Sequence, residues 1–182
     1  MKVLIKNARL AFPNLFKAEQ IMGEGDPKFG ATFLIPKNSP QLAQIEAAIK
    51  QVATEKWAGK AEANLKALQA GGKTCLRDGD SKADYAGFAD HMFISANTPT
   101  RPIVVGTDRA PLVAEDGKPY AGCYVNATID IWAQDNGFGK RINAKLLGVQ
   151  FYRDGDAFSG GAVSTADDFE DLSAEDELAD LV

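Results

Sequence analysis

The sequence predicts a mainly β protein of the α+β class: a small Greek-key barrel with one or two inserted helices. Three observations indicate this fold. Several short segments alternate apolar and polar residues, as half-buried strands do. One clearly amphipathic helix is inserted among them. A turn signal, Asn136-Gly137 followed by Gly139, predicts a long closing hairpin between the last two strands.

The first strand is expected over residues 2–11 and enters a turn at Phe12-Pro13-Asn14. A loop rich in Gly, Asp and Pro follows at 23–27. Alternation over 29–35 predicts a second strand, which Pro36 ends because proline cannot donate to a sheet. The remaining strands are predicted at 91–97, 102–105, 123–133 and 142–152.

The inserted helix is expected to start with the Ser39 hydroxyl as N-cap and Pro40 at the first helical position. It runs to about Trp57, with apolar residues at the helical period. A second short helix is predicted over 62–70, closed by two glycines. Residues 73–87 are polar and predicted to form a loop.

An OB-fold is the natural candidate for such a barrel, because it presents a binding face on its strands and varies its loops. We predict one domain over residues 1–159. Residues 160–182 are predicted to form a flexible acidic tail that is disordered in isolation.

The charge distribution divides the chain in the same way. The net charge is −5, yet residues 164–182 hold eight acidic and no basic residues, leaving 20 basic and 17 acidic residues elsewhere. A mildly basic body with an acidic end indicates an interaction tail, although a tail that only aids solubility is an open alternative. The residues assigned a regulatory role are Asp167, Asp168, Phe169, Glu170, Asp171, Glu175, Asp176, Glu177 and Asp180.

Cysteine and histidine usage argues against a metal or cofactor. Cys75 and Cys123 are far apart, and His91 is the one histidine, whereas a structural zinc site needs about four nitrogen or sulfur ligands. The cysteines are predicted to be reduced, buried thiols. We see no signal peptide and no membrane-spanning run. A soluble cytoplasmic protein is therefore expected.

The strand at 123–133 carries the main indication of a binding surface. Its odd-numbered residues are apolar, whereas its even-numbered residues form a polar face with two large aromatics, Tyr124 and Trp132. Phe93 holds an equivalent place on the strand at 91–97. Exposed aromatic rings stack on nucleobases. The alternative is that these rings cover a second core under a loop, or a dimer interface.

Basic residues lie near these strands, as in grooves that track a phosphate backbone. Taken singly, each of them is explained more simply as an ordinary solvated charge. The candidates are Lys28, Arg77, Arg101, Lys140, Arg141, Lys145 and Arg153.

An enzyme is the competing hypothesis. Asp78, Asp80 and Asp84 offer carboxylates for a divalent metal that would cleave phosphodiesters. Asp-Gly-Asp is also a common turn sequence. The chain contains no phosphate-cradling glycine motif, and a single histidine supports no catalytic triad. We therefore predict no catalysis.

Seven phrases, in order along residues 10–158, resemble a family of bacteriophage OB-fold single-stranded-DNA-binding proteins once catalogued as a domain of unknown function. They are Ala11-Phe12-Pro13-Asn14-Leu15-Phe16, Gly23 to Lys37, Leu76-Arg77-Asp78-Gly79-Asp80, Tyr85-Ala86-Gly87, Ala96 to Val104, Tyr120 to Val125, and Gly148 to Gly155.

The resemblance implies sequence-independent binding of single-stranded DNA in phage replication or recombination, without catalysis. It also implies an acidic tail that competes with DNA and contacts replication or recombination proteins of phage or host. This tail ends in Leu181-Val182 instead of an aromatic residue, which favours electrostatic competition over docking by the tip. Exposed strand edges favour a homodimer, and a protein–protein adaptor without DNA binding is a further alternative.

Overall fold

Seven strands and two helices make up the computed structural model, which describes residues 1–21 and 23–158. The strands are β1 Lys2–Ile21, β2 Glu24–Pro36, β3 Leu76–Asp78, β4 His91–Thr98, β5 Ile103–Val105, β6 Tyr124–Asn136 and β7 Gly139–Arg153. The helices are α1 Gln41–Trp57 and α2 Ala61–Ala70. The predicted acidic tail lies outside the described residues, so the domain boundary after residue 159 stays a prediction.

Five of the strands close into a barrel. β1 pairs antiparallel with β2 and with β6, β2 pairs with β4, and β6 pairs with β7. A parallel contact between Asn97 of β4 and Lys145 of β7 completes the ring. The short strands β3 and β5 add to β4 and β7 respectively. This arrangement confirms the predicted OB-fold-like barrel.

The barrel interior follows from the alternation of side chains along each strand. On β6 the inward residues Val125, Ala127, Ile129 and Ile131 are fully buried, as the sequence predicts. They pack against inward residues of the other barrel strands, such as Phe33. Because the apolar side chains point inward, polar side chains are left on the outer face of the same strands.

Helix α1 packs against the barrel with the apolar face that its sequence predicts. Leu42, Ile45 and Ile49 are buried in the main core together with the barrel residues. At the end of the helix, the Trp57 indole N–H donates a hydrogen bond of 2.8 Å to Asp135 of β6. The helix therefore fixes the position of the β6–β7 hairpin, whose turn lies where the sequence predicts it.

The predicted turn at Phe12-Pro13-Asn14 is wrong. β1 is 20 residues long and runs through these three residues without ending. Its register with β2 changes between Ala11 and Asn14. Phe12 takes a left-handed φ of 48° at this bulge. A bulge bends the strand and redirects side chains while the flanking ladder continues, so turn-forming residues here mark a bend within one strand.

Three local predictions also need correction. Pro40 is the N-cap of α1 and no side chain caps the helix, so Ser39 does not hold the predicted place. β2 begins at Glu24, within the segment predicted as a loop. The predicted loop 73–87 contains β3, whose backbone pairs with the edge of β4. A 3-10 turn at Gly79–Lys82 follows β3.

Cys75 and Cys123 are buried and free, as expected for buried thiols, and burial raises the pKa of each thiol to about 11. No helix in the described part of the chain is long and apolar enough to cross a bilayer.

We predict that Gly79→Ala destabilises the fold by about 1–3 kcal/mol, the usual cost of overpacking. A Cβ at residue 79 would overlap the backbone carbonyl oxygens of Phe88 and His91. Gly59→Ala is the matched control, since a Cβ there meets no atom within 4 Å. Urea denaturation of both variants measures the effect, and equal stability of the two would contradict the packing at Gly79.

Candidate nucleic-acid interface

The outer face of β6 carries the two aromatics that the sequence places there. Tyr124 is half-buried and the Trp132 side chain is 44% exposed. Eight residues of strand separate them, a distance of about 26 Å at the rise of an extended chain. They therefore belong to opposite ends of the barrel surface and cannot stack on the same base.

The prediction that Phe93 is exposed is wrong. Phe93 is 2% exposed and packs against Phe88, with ring centroids 5.3 Å apart. The two rings join Ala11 and Leu34 in a small second core beneath residues 79–90. Phe93 thus covers a second core under a loop, as the alternative hypothesis states for these aromatics, and it presents no free face to a base.

Small and polar side chains line the outer face where β2, β4 and β7 adjoin. Thr32 and Ser95 lie opposite one another, with their hydroxyl oxygens 3.3 Å apart. Asn97 lies beside Gly30, where a Cβ would overlap the Asn97 amide oxygen. Lys145 continues this row onto β7 through its pairing with Asn97. The result is a row of polar side chains, the polar strip, in which Thr32 is buried and Asn97 and Lys145 are exposed.

Arg77 lies at one end of this strip, opposite Phe93, and Arg141 of β7 is near enough for its charge to act on Arg77. The Arg77 guanidinium carbon lies 4.8 Å above the centroid of the Phe93 ring. Partial burial and, secondly, the nearby Arg141 lower the pKa of Arg77. Its Nε–H is buried without a hydrogen-bond partner among the described residues. Two cations held near each other favour an anion between or beside them.

The other predicted cations are distributed around the barrel. Lys145 and Lys140 of β7 face Asp130 and Asp135 of β6, and Lys28 of β2 faces Glu19 of β1. Arg101 follows β4, and its guanidinium carbon lies 5.7 Å from the centroid of the Phe16 ring. Of these four cations, Arg101 is the one whose charged group lies over an aromatic ring of the described residues.

At the Tyr124 end, Arg153 covers the ring face with its guanidinium carbon 3.8 Å from the ring centroid. Arg9 donates hydrogen bonds to the carbonyl oxygens of Gly122 and Asp156, at 3.1 and 2.9 Å. Its guanidinium carbon also lies 4.2 Å from the centroid of the Phe158 ring. Arg9 therefore holds the last described segment of the chain against the barrel.

Sequence reasoning missed a second exposed aromatic pair, Phe12 and Tyr85. Phe12 is 55% and Tyr85 49% exposed, and their ring centroids lie 5.4 Å apart in an edge-to-face arrangement. The Nζ atom of Lys82 lies 6.0 Å from the Tyr85 ring centroid. Only the family phrases contained both aromatics, because β1 and residues 79–90 meet solely in the folded chain.

The aspartates proposed as metal ligands have a structural role. Lys37 forms ion pairs with Asp78, at 2.9 Å, and with Asp80. Asp80 also accepts a hydrogen bond of 2.8 Å from the backbone N–H of Asp90. The residues between Asp80 and Asp90 carry Tyr85 and Phe88. This arrangement, the Lys37 clasp, therefore holds both ends of the segment that covers the second core.

Within the described residues, no group of three or more acidic, Cys or His side chains is arranged to hold a metal ion.

Comparisons with known proteins agree with one another. A family model described as Enterobacter phage Enc34, ssDNA-binding protein, matches residues 1–179. Protein p50 of Acyrthosiphon pisum secondary endosymbiont phage 1 is 47% identical over 180 residues, 97% of either chain. The single-stranded DNA-binding protein from bacteriophage Enc34, solved in complex with ssDNA, is similar with a TM-score of 0.75 and 30% identity. The match covers 87% of this chain and 89% of that one. Another structure of the Enc34 protein matches with a TM-score of 0.71 and 31% identity, over 93% of this chain and 90% of that one.

We predict that the Lys37 clasp stabilises the fold in a defined pH window. Hydrogen bonds from Lys37 lower the pKa values of Asp78 and Asp80, and the two carboxylates raise the pKa of Lys37 to about 12. The stabilisation is therefore complete at neutral pH. It is lost as the pH falls through the lowered carboxyl pKa values, and as it rises through about 12.

Urea midpoints of the wild type and Lys37→Gln, measured from pH 7 downward, test this. The difference between the two proteins is expected to shrink toward zero in acid. The control is Lys60→Gln, at an exposed lysine, which should differ from the wild type by the same small amount at every pH. A Lys37→Gln difference independent of pH would contradict the ion pairs.

Proposed function

This chain belongs to the family of Enterobacter phage Enc34 ssDNA-binding proteins, and we propose that it binds single-stranded DNA without sequence preference on the outer face of β2, β4 and β7. Its place is in phage DNA replication or recombination, where exposed single strands arise. The protein acts by covering the strand and carries out no chemistry on it.

The observation that carries this proposal is the row Thr32, Ser95, Asn97 and Lys145, with Arg77 and Arg141 at one end. Small side chains let a backbone approach the sheet closely, and the cations attract phosphates. Hydroxyl and amide groups donate to phosphate or sugar oxygens whatever the base, which accounts for sequence tolerance.

Trp132 lies on the same outer face of β7 and β6, opposite Asn143 and two residues from the Asp130–Lys145 pair. Its exposed ring is a stacking surface at the edge of the polar strip. Tyr124, with one face covered by Arg153, is less suited to stacking. We therefore place Trp132, and not Phe93, among the base-stacking residues.

We predict that an oligo-dT strand quenches the fluorescence of Trp132, and that Trp132→Ala weakens binding by about 1–3 kcal/mol, the usual worth of one stacked base. The quenching assay uses a Trp57→Phe background, so that Trp132 is the one tryptophan, and the affinity of Trp132→Ala is measured by the anisotropy of labelled oligo-dT. Trp57→Phe removes the indole hydrogen bond to Asp135, so the Trp57→Phe protein, and not the wild type, is the reference for affinity. A folded Trp132→Ala protein with unchanged affinity would disprove this stacking role.

The same titration, run at low and high salt with Mg²⁺ or Mn²⁺ present, separates the competing functions. We expect intact DNA and affinity that falls with salt. A metal nuclease would cut the strand and lose this activity on Asp78→Asn or Asp80→Asn. An adaptor would bind no oligonucleotide at any salt concentration, with or without the tail.

The acidic tail is proposed to compete with DNA for this face. The last described residues are held on the barrel surface by Arg9, and the Phe158 N–H donates to the carbonyl oxygen of Ala121 at 3.0 Å. Asp167 follows Phe158 by nine residues, which extended span at most about 30 Å. That reach matches the roughly 26 Å between the two ends of the β6 outer face. Eight negative charges thus begin within reach of the proposed DNA path.

We predict that deletion of residues 164–182 raises the affinity for oligo-dT, most strongly at low salt, because exposed charges are screened within about 8–10 Å at physiological ionic strength. Fluorescence anisotropy at several salt concentrations measures the change. Replacing the eight tail acids by their amides, at unchanged length, is the matched control and should have the same effect. Unchanged affinity in both proteins would eliminate competition by charge.

Contacts of the tail with replication proteins, and a homodimer, stay predictions. β3 and β5, the terminal strands of the described sheet, have three residues each. The free edges that a second copy could pair with lie instead on the β1–β2 hairpin, because, among the described strands, β1 beyond Ala11 pairs only with β2, and β2 before Phe29 pairs only with β1.

A further inference from the structure

An apolar cavity of about 260 Å³ opens beside the polar strip, between β1 and residues 85–88. Phe12, Tyr85 and Phe158 form its walls, and alanines line most of the remainder. We propose that this cavity, the aromatic pocket, receives one unstacked nucleobase of the bound strand. This inference rests on the proposed function and names a subsite within it.

The pocket is built by features that core packing does not require. Phe12 is a bulky residue at a left-handed φ, a conformation rarely adopted outside glycine, and more than half of its ring is nonetheless exposed. Such strained positions cluster at ligand sites. Across the pocket, Gly87 permits the approach of Phe158, since a Cβ at residue 87 would overlap that ring.

The chemistry of the walls suits a base held by its faces and not by its edges. Among the described lining residues, the Tyr85 hydroxyl is the one side-chain group that can form a hydrogen bond. Aromatic walls accept any base, because every base has a π-face. A pocket of this kind adds affinity without adding sequence preference, in agreement with the proposed mode of binding.

The charges around the pocket favour a base that remains attached to its backbone. Lys82 lies 6.0 Å from the Tyr85 ring centroid on one side, and Arg9 lies 4.2 Å from the Phe158 ring centroid on the other. Phosphates on either side of an inserted nucleotide would meet these cations. The polar strip also begins next to the pocket, because Ala11 of the pocket is paired with Thr32 of the strip.

The test compares an oligo-dT strand with an all-abasic strand of equal length, which keeps the phosphates and lacks the bases. In the full chain, Phe12→Ala and Tyr85→Ala are each expected to weaken dT binding about 5- to 150-fold, as for one stacked base. Binding of the abasic strand should stay unchanged. Leu4→Ala is the matched control, since Leu4 is on the same strand β1, is 45% exposed and lies outside the pocket.

Each outcome is decisive. Equal dT affinity of the wild type and of a folded Tyr85→Ala protein would overturn the pocket, even if Phe12→Ala failed to fold. Tighter dT binding by the pocket variants would also overturn it, because a subsite that holds a base cannot gain affinity when its aromatic walls are removed. If neither strand binds the wild type, the proposed function itself fails, which is distinct from failure of the pocket alone.

Discussion

The parallel contact between β4 and β7, at Asn97 and Lys145, is the constraint on which the rest of the structure depends. It converts a row of five strands into a closed barrel with one interior. Apolar side chains fill that interior, and the alternation of each strand then requires the intervening side chains to point outward. The polar strip exists because closure places β7 directly beside β4. Without this contact, Lys145 would lie at a sheet edge, remote from Thr32 and Ser95.

A second core on the outside of the barrel shapes the surface proposed to bind DNA. Phe88 and Phe93 are packed together there and are covered by the segment that the Lys37 clasp holds in place. Burial of these rings stabilises the segment, and the segment in turn presents Tyr85 to solvent opposite Phe12. The same carboxylates that suggest metal chemistry in the sequence thus serve to position an aromatic side chain. Lys37 offsets one of their two negative charges, which leaves the surface near the proposed phosphate path less acidic.

The end of the described chain links the surface to the acidic tail. Arg9 contacts Gly122, Asp156 and the Phe158 ring, so one side chain joins β1 to the segment from which the tail departs. A charged peptide fixed at this point has a high local concentration at the surface without needing strong contacts. The proposed electrostatic competition would then depend on tether length and salt more than on a specific docking sequence.

The amino-acid sequence by itself determined the barrel class, the inward and outward faces of β6, the apolar face of α1, the closing hairpin and the charge asymmetry of the chain. These features arise from periodicity and composition, which are local properties. Only the tertiary structure decided that Phe93 is buried while Phe12 and Tyr85 are exposed. Alternation assigns a side chain to one face of a strand, yet whether a distant segment covers that face depends on long-range contacts. The same reason explains Asp78 and Asp80, whose partner Lys37 lies about 40 residues away in sequence and becomes a neighbour only when β2 and β4 pair.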